Sequence, residues 1–536
     1  MPSMPMRAVL SVAALLCIAA LPVAQSQSTP SQKQPAASDA PTLHVTSRLV
    51  FLDVTVLNAK GHPVVSGLTK DDFTITQDKK PQRIFSFEAP EAHVVTADAA
   101  DDNPAGSAPV TIFVIDQLNS TFEQMAYIRY CVHKYLAKEP KQLKAPAEVM
   151  VMGNESLEMV QGYTRDKKEL LSAVDHIPTV IPYKMNGSFF SERFVQSIYA
   201  LQEIALENHG VPGRKNIVWI GHGGPSLYTA SLDSKIVDEV NAHVHRTVNM
   251  LVDSRMSLFL IYPGLEVRSR LGTPISAMSA ELEIGDDDPF SGDINFGVFV
   301  NETGGKLFYN RNDLDQLIRT SVELGSRYYT LTYQPPEGVA DGKFRRVRVT
   351  MRNPALHALT KAGYFAPDKT APADPRANIL YNIAEAAQAD VPFQGVGLTV
   401  EKVIRHRDTN SADITVNLNT KNLGWQAAAD GKNTADIGFV AASLSARRDV
   451  LASKTEDLRL INNSSNPVRT EKPHAHLTMT LRVPRRTKSV RLVIGSLADG
   501  RMGAVELDRK AIDAAPDMPT PQPKLIPQPA KQLPSP

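Results

Sequence analysis

Three hydrophobic patterns follow one another along the chain. From Leu43 to Glu88 apolar and polar positions alternate with period two: Val50, Leu52, Val54 and Val56 interleave with Phe51, Asp53 and Thr55. That alternation predicts half-buried strands. The turn Asn58-Ala59-Lys60-Gly61 follows, and a hairpin is expected in which Phe73 to Thr76 and Arg83 to Phe87 flank Gln77-Asp78-Lys79-Lys80. From Val110 to about Ser326 the pattern changes to strands and helices in alternation. Val110 to Ile115 is a continuous apolar run, as buried parallel strands are. Further strands are predicted at 149–152, 216–220, 257–262 and 306–309. Helices are predicted near 123–138, 167–177, 191–208, 233–251 and 313–324, each with apolar residues at helical spacing. This order predicts a doubly wound parallel sheet, a Rossmann-like α/β domain with helices on both faces.

After Gly325 the pattern returns to β, in Arg327 to Tyr333, Phe344 to Met351 and Gly363 to Phe365. These strands are too few to bury their own faces, and so are those before residue 92. The economical expectation is one discontinuous β-sandwich, 43–92 with 327–366, into which the α/β domain (109–326) is inserted. A linker (367–390), a C-terminal β-sandwich domain (391–512) and a Pro-rich tail (513–536) complete the expected order.

Composition narrows the class. The chain has 536 residues, 42% apolar and 21% charged, with 58 Lys plus Arg against 57 Asp plus Glu. That length predicts about three domains, and the charge balance argues against nucleic-acid binding, which needs clustered positive charge. The basic runs 343–346 and 485–486 are short and read as solvated strand edges. At the start, Arg7 precedes an apolar run from Ala8 to Leu21 and the small-residue exit Pro22-Val23-Ala24. This predicts a signal peptide (1–24) followed by a disordered leader (25–42). The bulky Leu16 before Cys17 argues against lipid attachment. No later run is long and apolar enough for a transmembrane helix. The mature chain is thus expected to be exported, to the periplasm, cell surface or exterior. One cysteine, Cys131, would remain, on a helical apolar face that makes it a core residue.

Several segments, in order, carry a family resemblance: Gly67-Leu-Thr-Lys-Asp-Asp-Phe-Thr-Ile75, Phe113-Val-Ile-Asp116-Gln-Leu-Asn119-Ser120, Arg214-Lys-Asn-Ile-Val-Trp-Ile-Gly221, Thr303-Gly-Gly305, Tyr329-Thr-Leu-Thr-Tyr333 and Gly363-Tyr-Phe365. The chain, over residues 43 to 366, resembles the VWFA-related family described chiefly from Acidobacteria. The resemblance implies a von Willebrand factor A-like (vWA) domain and no established enzymatic chemistry. In such domains Mg²⁺ is held by Asp-x-Ser-x-Ser, a Thr on a second loop and an Asp on a third. Mapped here, Asp116 and Ser120 match, Leu118 replaces the first Ser, Thr164 is the candidate Thr, and His222 stands where the Asp belongs. The implied metal set, Asp116, Ser120 and Thr164, is degenerate, so Mg²⁺ binding is expected to be weak or absent. Read by themselves, Asp116 serves equally to accept loop amides, and Ser120 and Thr164 to cap the helices after them.

Rival chemistry begins at the same loop. His222-Gly223-Gly224-Pro225 resembles an esterase oxyanion segment, yet no Gly-x-Ser-x-Gly pentapeptide accompanies it. His243 and His245 on one helix point to different faces, which argues against a shared metal. Asp286-Asp287-Asp288 lacks the spaced ligands of a Ca²⁺ loop. The expectation is a non-enzymatic protein-binding, adhesion or envelope-scaffolding protein with an unidentified protein or envelope partner. A purely structural envelope component and a secreted esterase are the alternatives.

Overall fold

The computed structural model describes residues 49–93, 109–154, 156–178, 184, 189–227, 229, 232–263, 289–290, 294–336, 340–367, 375–421, 423–428, 432–462 and 474–518. The expected signal peptide and leader, the acidic run 286–288 and the tail beyond Met518 lie outside the described residues.

The first strands are β1 (Val50–Leu57), β2 (Phe73–Gln77), β3 (Lys80–Gln82) and β4 (Ile84–Glu88). Val50, Leu52, Val54 and Val56 are all buried, as their alternation predicts. The expected hairpin is corrected. Asp78 and Lys79 both adopt positive φ (49° and 67°), so a two-residue turn makes Gln77 and Lys80 direct partners. The return strand β3 therefore ends at Gln82, and β4 leaves for a different sheet.

The middle segment comprises β5 (Val110–Asp116), α1 (Phe122–Lys138), β6 (Gln142–Met152), β7 (Leu157–Asp166), α2 (Lys167–Asp175), α3 (Phe190–Glu207), β8 (Lys215–Ile220), α4 (Ser234–Asp253), β9 (Met256–Pro263), α5 (Phe296–Glu302), β10 (Leu307–Arg311) and α6 (Leu314–Ser326). Six strands lie in the order β10-β9-β8-β5-β6-β7. Five are parallel and β7 is an antiparallel edge. Successive β5 side chains serve opposite faces. Phe113 and Ile115 join a core with α1, α2 and α6, while Ile112 and Val114 join one with α3, α4 and α5. The chain runs from β5 outward to β7, then resumes at β8 on the other side of β5. The carboxyl ends of β5 and β8 thus flank the switch point, where open α/β sheets place their ligand loops.

Next come β11 (Tyr329–Tyr333), β12 (Phe344–Met351), β13 (His357–Leu359) and β14 (Gly363–Phe365). They interleave with the first strands in two sheets, β13-β1-β11-β4 and β14-β12-β2-β3. Val50 pairs with Tyr333 and Val347 with Gln77 across the whole α/β segment. The buried Arg214 guanidinium donates to Thr55 Oγ1 (2.8 Å), and Arg255 forms an ion pair with Asp53, tying the α/β segment to β1.

The stretch expected as linker contains α7 (Pro375–Ala386). Beyond it lie β15 (Leu398–His406), β16 (Ser411–Asn419), β17 (Gln426–Ala427), β18 (Asn433–Leu444), β19 (Val450–Asn462), β20 (His474–Arg482), β21 (Ser489–Ser496), β22 (Met502–Asp508) and α8 (Arg509–Asp513). They form sheets β15-β16-β20 and β17-β18-β21-β22, with β19 also paired to β18. A third core built from β16, β18, β20 and β21 fills this module. The molecule is thus mixed α/β, with one mostly parallel six-stranded sheet and several antiparallel ones. Among the described residues no helix is long and apolar enough to cross a membrane.

Candidate functional site at the carboxyl ends of β5 and β8

Asp116 is the last residue of β5 and is wholly buried. Its oxygens are taken up by N–H donors. Oδ1 accepts from the Asn119 amide (3.0 Å) and Asn119 Nδ2 (3.1 Å). Oδ2 accepts from Trp219 Nε1 and the Gly223 amide, both at 2.9 Å. Burial raises the Asp116 pKa above the usual carboxylate value, against the opposing pull of Trp219, Asn119 and Gly223. Three loops or strand ends therefore meet on one carboxylate.

The local sequence explains the closeness. Gly221, straight after β8, has φ of 148°, and a Cβ there would lie 2.4 Å from Asp116 Cβ. Only glycine lets the β8 loop close on Asp116. On the other side Asn119 Oδ1 accepts from Arg193 Nε (3.0 Å), and Asn119 Nδ2 also reaches Ser197 Oγ (3.2 Å), linking the hub to α3. His222 packs edge-on against Tyr262, ring centroids 4.6 Å apart. Burial, reinforced by the Arg193 charge, holds His222 neutral, with its pKa pushed down to about 4.

The sequence-predicted metal residues are only partly gathered. Ser120 lies beside Asp116, buried, and its Oγ has no hydrogen-bond partner. The cap of α1 is Thr121, whose hydroxyl accepts from the Gln124 amide, so the capping role expected of Ser120 belongs to its neighbour. Leu118 is wholly buried and apolar. Thr164 is corrected in position. It lies in β7 opposite Ala147, which pairs with Thr111 near the start of β5, whereas Asp116 pairs with Met152. Five residues at about 3.3 Å each separate them along the sheet. Thr164 Oγ1 accepts from the Asp166 amide (3.0 Å), and Asp166 rather than Thr164 caps α2.

These residues do not fit Mg²⁺. The ion requires converging oxygen ligands, whereas the Asp116 oxygens face N–H groups, Leu118 supplies none, and Thr164 is at the far end of the sheet. Among the described residues no group of three His, Cys, Asp or Glu is placed to hold a metal. The esterase reading meets a similar obstacle, because the Gly223 amide, which it needs as an oxyanion donor, is committed to Asp116. Cys131 is buried in α1, where desolvation pushes its thiol pKa up. His243 meets Tyr199 edge-on, while His245 stacks on Phe365 at 3.8 Å, so the two are separately employed.

Sequence reasoning missed Trp219 and Asn119 as parts of the hub. The signal for Trp219 was available: an indole N–H on a fully buried strand needs an acceptor, and Asp116 on the adjacent strand is the nearest charged residue.

No family model matches the chain, and no curated protein matches it. Among solved structures it is similar to the crystal structure of the SpRpn10 VWA domain, with 16% identity and a TM-score of 0.16. The match covers 29% of this chain and 75% of that chain.

Proposed function

We propose that this chain is an exported, non-enzymatic binding or scaffolding protein built round a vWA-like α/β domain that works without metal. The observation that carries the reading is the Asp116 hub. The carboxylate that would anchor Mg²⁺ instead fastens the β5 loop, through Asn119, to the β8 loop, through Gly223 and Trp219. A cation draws such loops together by sharing their oxygens; here the hydrogen bonds hold them together directly. Loops locked in this way present a preorganised surface at the switch point, which lowers the entropy lost on binding a protein or envelope partner. The discontinuous β-sandwich and the C-terminal β-sandwich then serve as its frame.

Affinity capture from native envelope extract, with the full mature chain as bait in EDTA, tests this reading. One dominant partner should be retained in EDTA and lost with Gly221→Ala, which drives a Cβ into Asp116. Capture that requires Mg²⁺, or hydrolysis of a generic ester panel, would contradict it. Export has its own check: N-terminal sequencing of secreted material should begin near Gln25 or Gln27.

A further inference from the structure

The contact between α3 and the C-terminal module is lined by ionisable groups that the switch-point site does not use. Glu203, on α3, faces the segment joining α7 to β15. Its Oε1 accepts from the Asp390 amide (3.2 Å), while its Oε2 is buried with no hydrogen-bond partner. Two guanidiniums are near, but both are committed elsewhere. Arg448, in the β18–β19 turn, pairs with Asp390 (3.1 Å) and Glu506 (3.1 Å), and donates to the Ala389 carbonyl (2.6 Å). Arg491, on β21, pairs with Glu506 (3.1 Å) and donates to the Ala386 carbonyl (3.0 Å). Among the described residues Glu203 forms no ion pair.

The rest of the seam is closely packed. Ala386, Ala387, Ala389, Val391 and Phe393 share one apolar core with the buried face of α3. Arg501 Nε donates to the Gly210 carbonyl (3.0 Å), and a Cβ on Gly500 would lie 2.1 Å from His209 Cδ2. Glu203 as a whole is partly exposed, but its Oε2 is turned into this packing and away from water. The ionised groups nearest it balance poorly. Asp390 and, beyond it, Glu506 and Glu158 are acidic, and Asp390 and Glu506 occupy the two arginines. On α4 and α7, Arg246 is paired with Glu385, and His243 abuts Tyr199 one turn before Glu203. Glu207, one turn after it, is buried.

We propose that this seam is a proton-operated latch: the C-terminal module stays docked on α3 while Glu203 carries a proton, and loosens when Glu203 ionises. An ionised Glu203 would add a second carboxylate against Asp390, with one oxygen lacking any donor, and burying a charge in that state is costly. Desolvation and the Asp390 charge push the Glu203 pKa from its ordinary 4.5 up to about 8. The folded value exceeds the unfolded one, so the contribution is complete below pH 4.5 and is lost as pH rises towards 8. An exported protein meets the pH of its surroundings directly, so a latch of this kind would couple module docking to that pH.

The test is hydrogen exchange of the full chain at pH 6 and pH 9, corrected for the intrinsic rate. In the wild type, protection of 386–396 should fall by up to about a hundredfold between the two, since each of the two units between pH 6 and pH 8 is a factor of ten and nothing further is lost above 8. The β5 and β8 strands serve as the internal reference and should keep theirs. Glu203→Gln, a neutral isostere of the protonated acid, should abolish the loss. Asp390→Asn removes the neighbouring charge and should still show the loss, with its midpoint moved from that of the wild type. Unchanged protection in the wild type, an equal loss in Glu203→Gln, an unmoved midpoint in Asp390→Asn, or a parallel loss in β5 and β8 would each overturn the latch.

Discussion

At the scale of single residues, the Asp116 carboxylate ties the β5 loop to β8 and the loop after it. Removing one donor tests this directly. Trp219→Phe keeps an aromatic ring against Phe296 but deletes the Nε1 hydrogen bond together with part of the buried indole volume, which adds to the loss. A hydrogen bond to a charged group contributes about 1.5–3 kcal/mol, and urea denaturation should show a loss in that range or above it. A change below about 0.5 kcal/mol would mean that the hub is not under load. His222 gives a second residue-scale prediction. Its folded pKa is depressed to about 4, from 6.5, so its contribution is complete above 6.5 and is lost as pH falls towards 4. His222→Gln should flatten the stability profile across that window, measured by denaturation at several pH values. Asp116 was reached as the focal residue through the metal motif that the family resemblance implies. Of its partners, Trp219 carried the signal of a buried indole N–H, but Gly223 carried none, because it is over a hundred positions away and meets Asp116 only through the β5–β8 pairing.

The elements show why some of the fold was readable and some was not. β5 and β8 are unbroken apolar runs, and α4 carries an apolar stripe from Val244 to Leu251, so each announces itself. β7 does not. Its residues from Val160 to Asp166 include Gln161, Gly162, Thr164 and Arg165, since a bulged edge strand buries little on either face. Reading that stretch as a loop moved Thr164 to the wrong end of the sheet. The hairpin register failed for a different reason: Asp78-Lys79 lacks the Asn-Gly sequence that marks a two-residue turn, yet adopts its left-handed geometry. Thr164→Ala follows as an element-scale prediction. The hydroxyl accepts one part-buried amide hydrogen bond before α2, so its loss should cost about 1 kcal/mol and leave metal binding unaltered. A larger loss in thermal or urea melts would show that β7 depends on this side chain.

For the whole molecule, the segments on either side of the α/β region share two sheets, which makes them mutually dependent. Deleting residues 43–92 removes both partners of β11 and the β2 partner of β12, and leaves Arg255 without Asp53. Residues 327–366 should then lose hydrogen-exchange protection, because strands without a covered face do not hold alone. Full protection of 327–366 in the deletion variant would show that the two sets fold independently. The interleaving itself was foreseeable from strand counting, whereas the crossing of β4 and β2 into different sheets required three-dimensional pairing. If hydrogen bonds replace the metal at the switch point, direct Mn²⁺ binding to the full chain, with calorimetry for Mg²⁺, is the most direct check. Occupancy at 100 times Kd would add about 2.7 kcal/mol, which is about 2–4 °C in Tm for a unit of this size. No saturable binding at millimolar metal is expected, and a Tm shift of less than about 1 °C against EDTA. Saturable sub-millimolar binding that disappears in Asp116→Asn would contradict it.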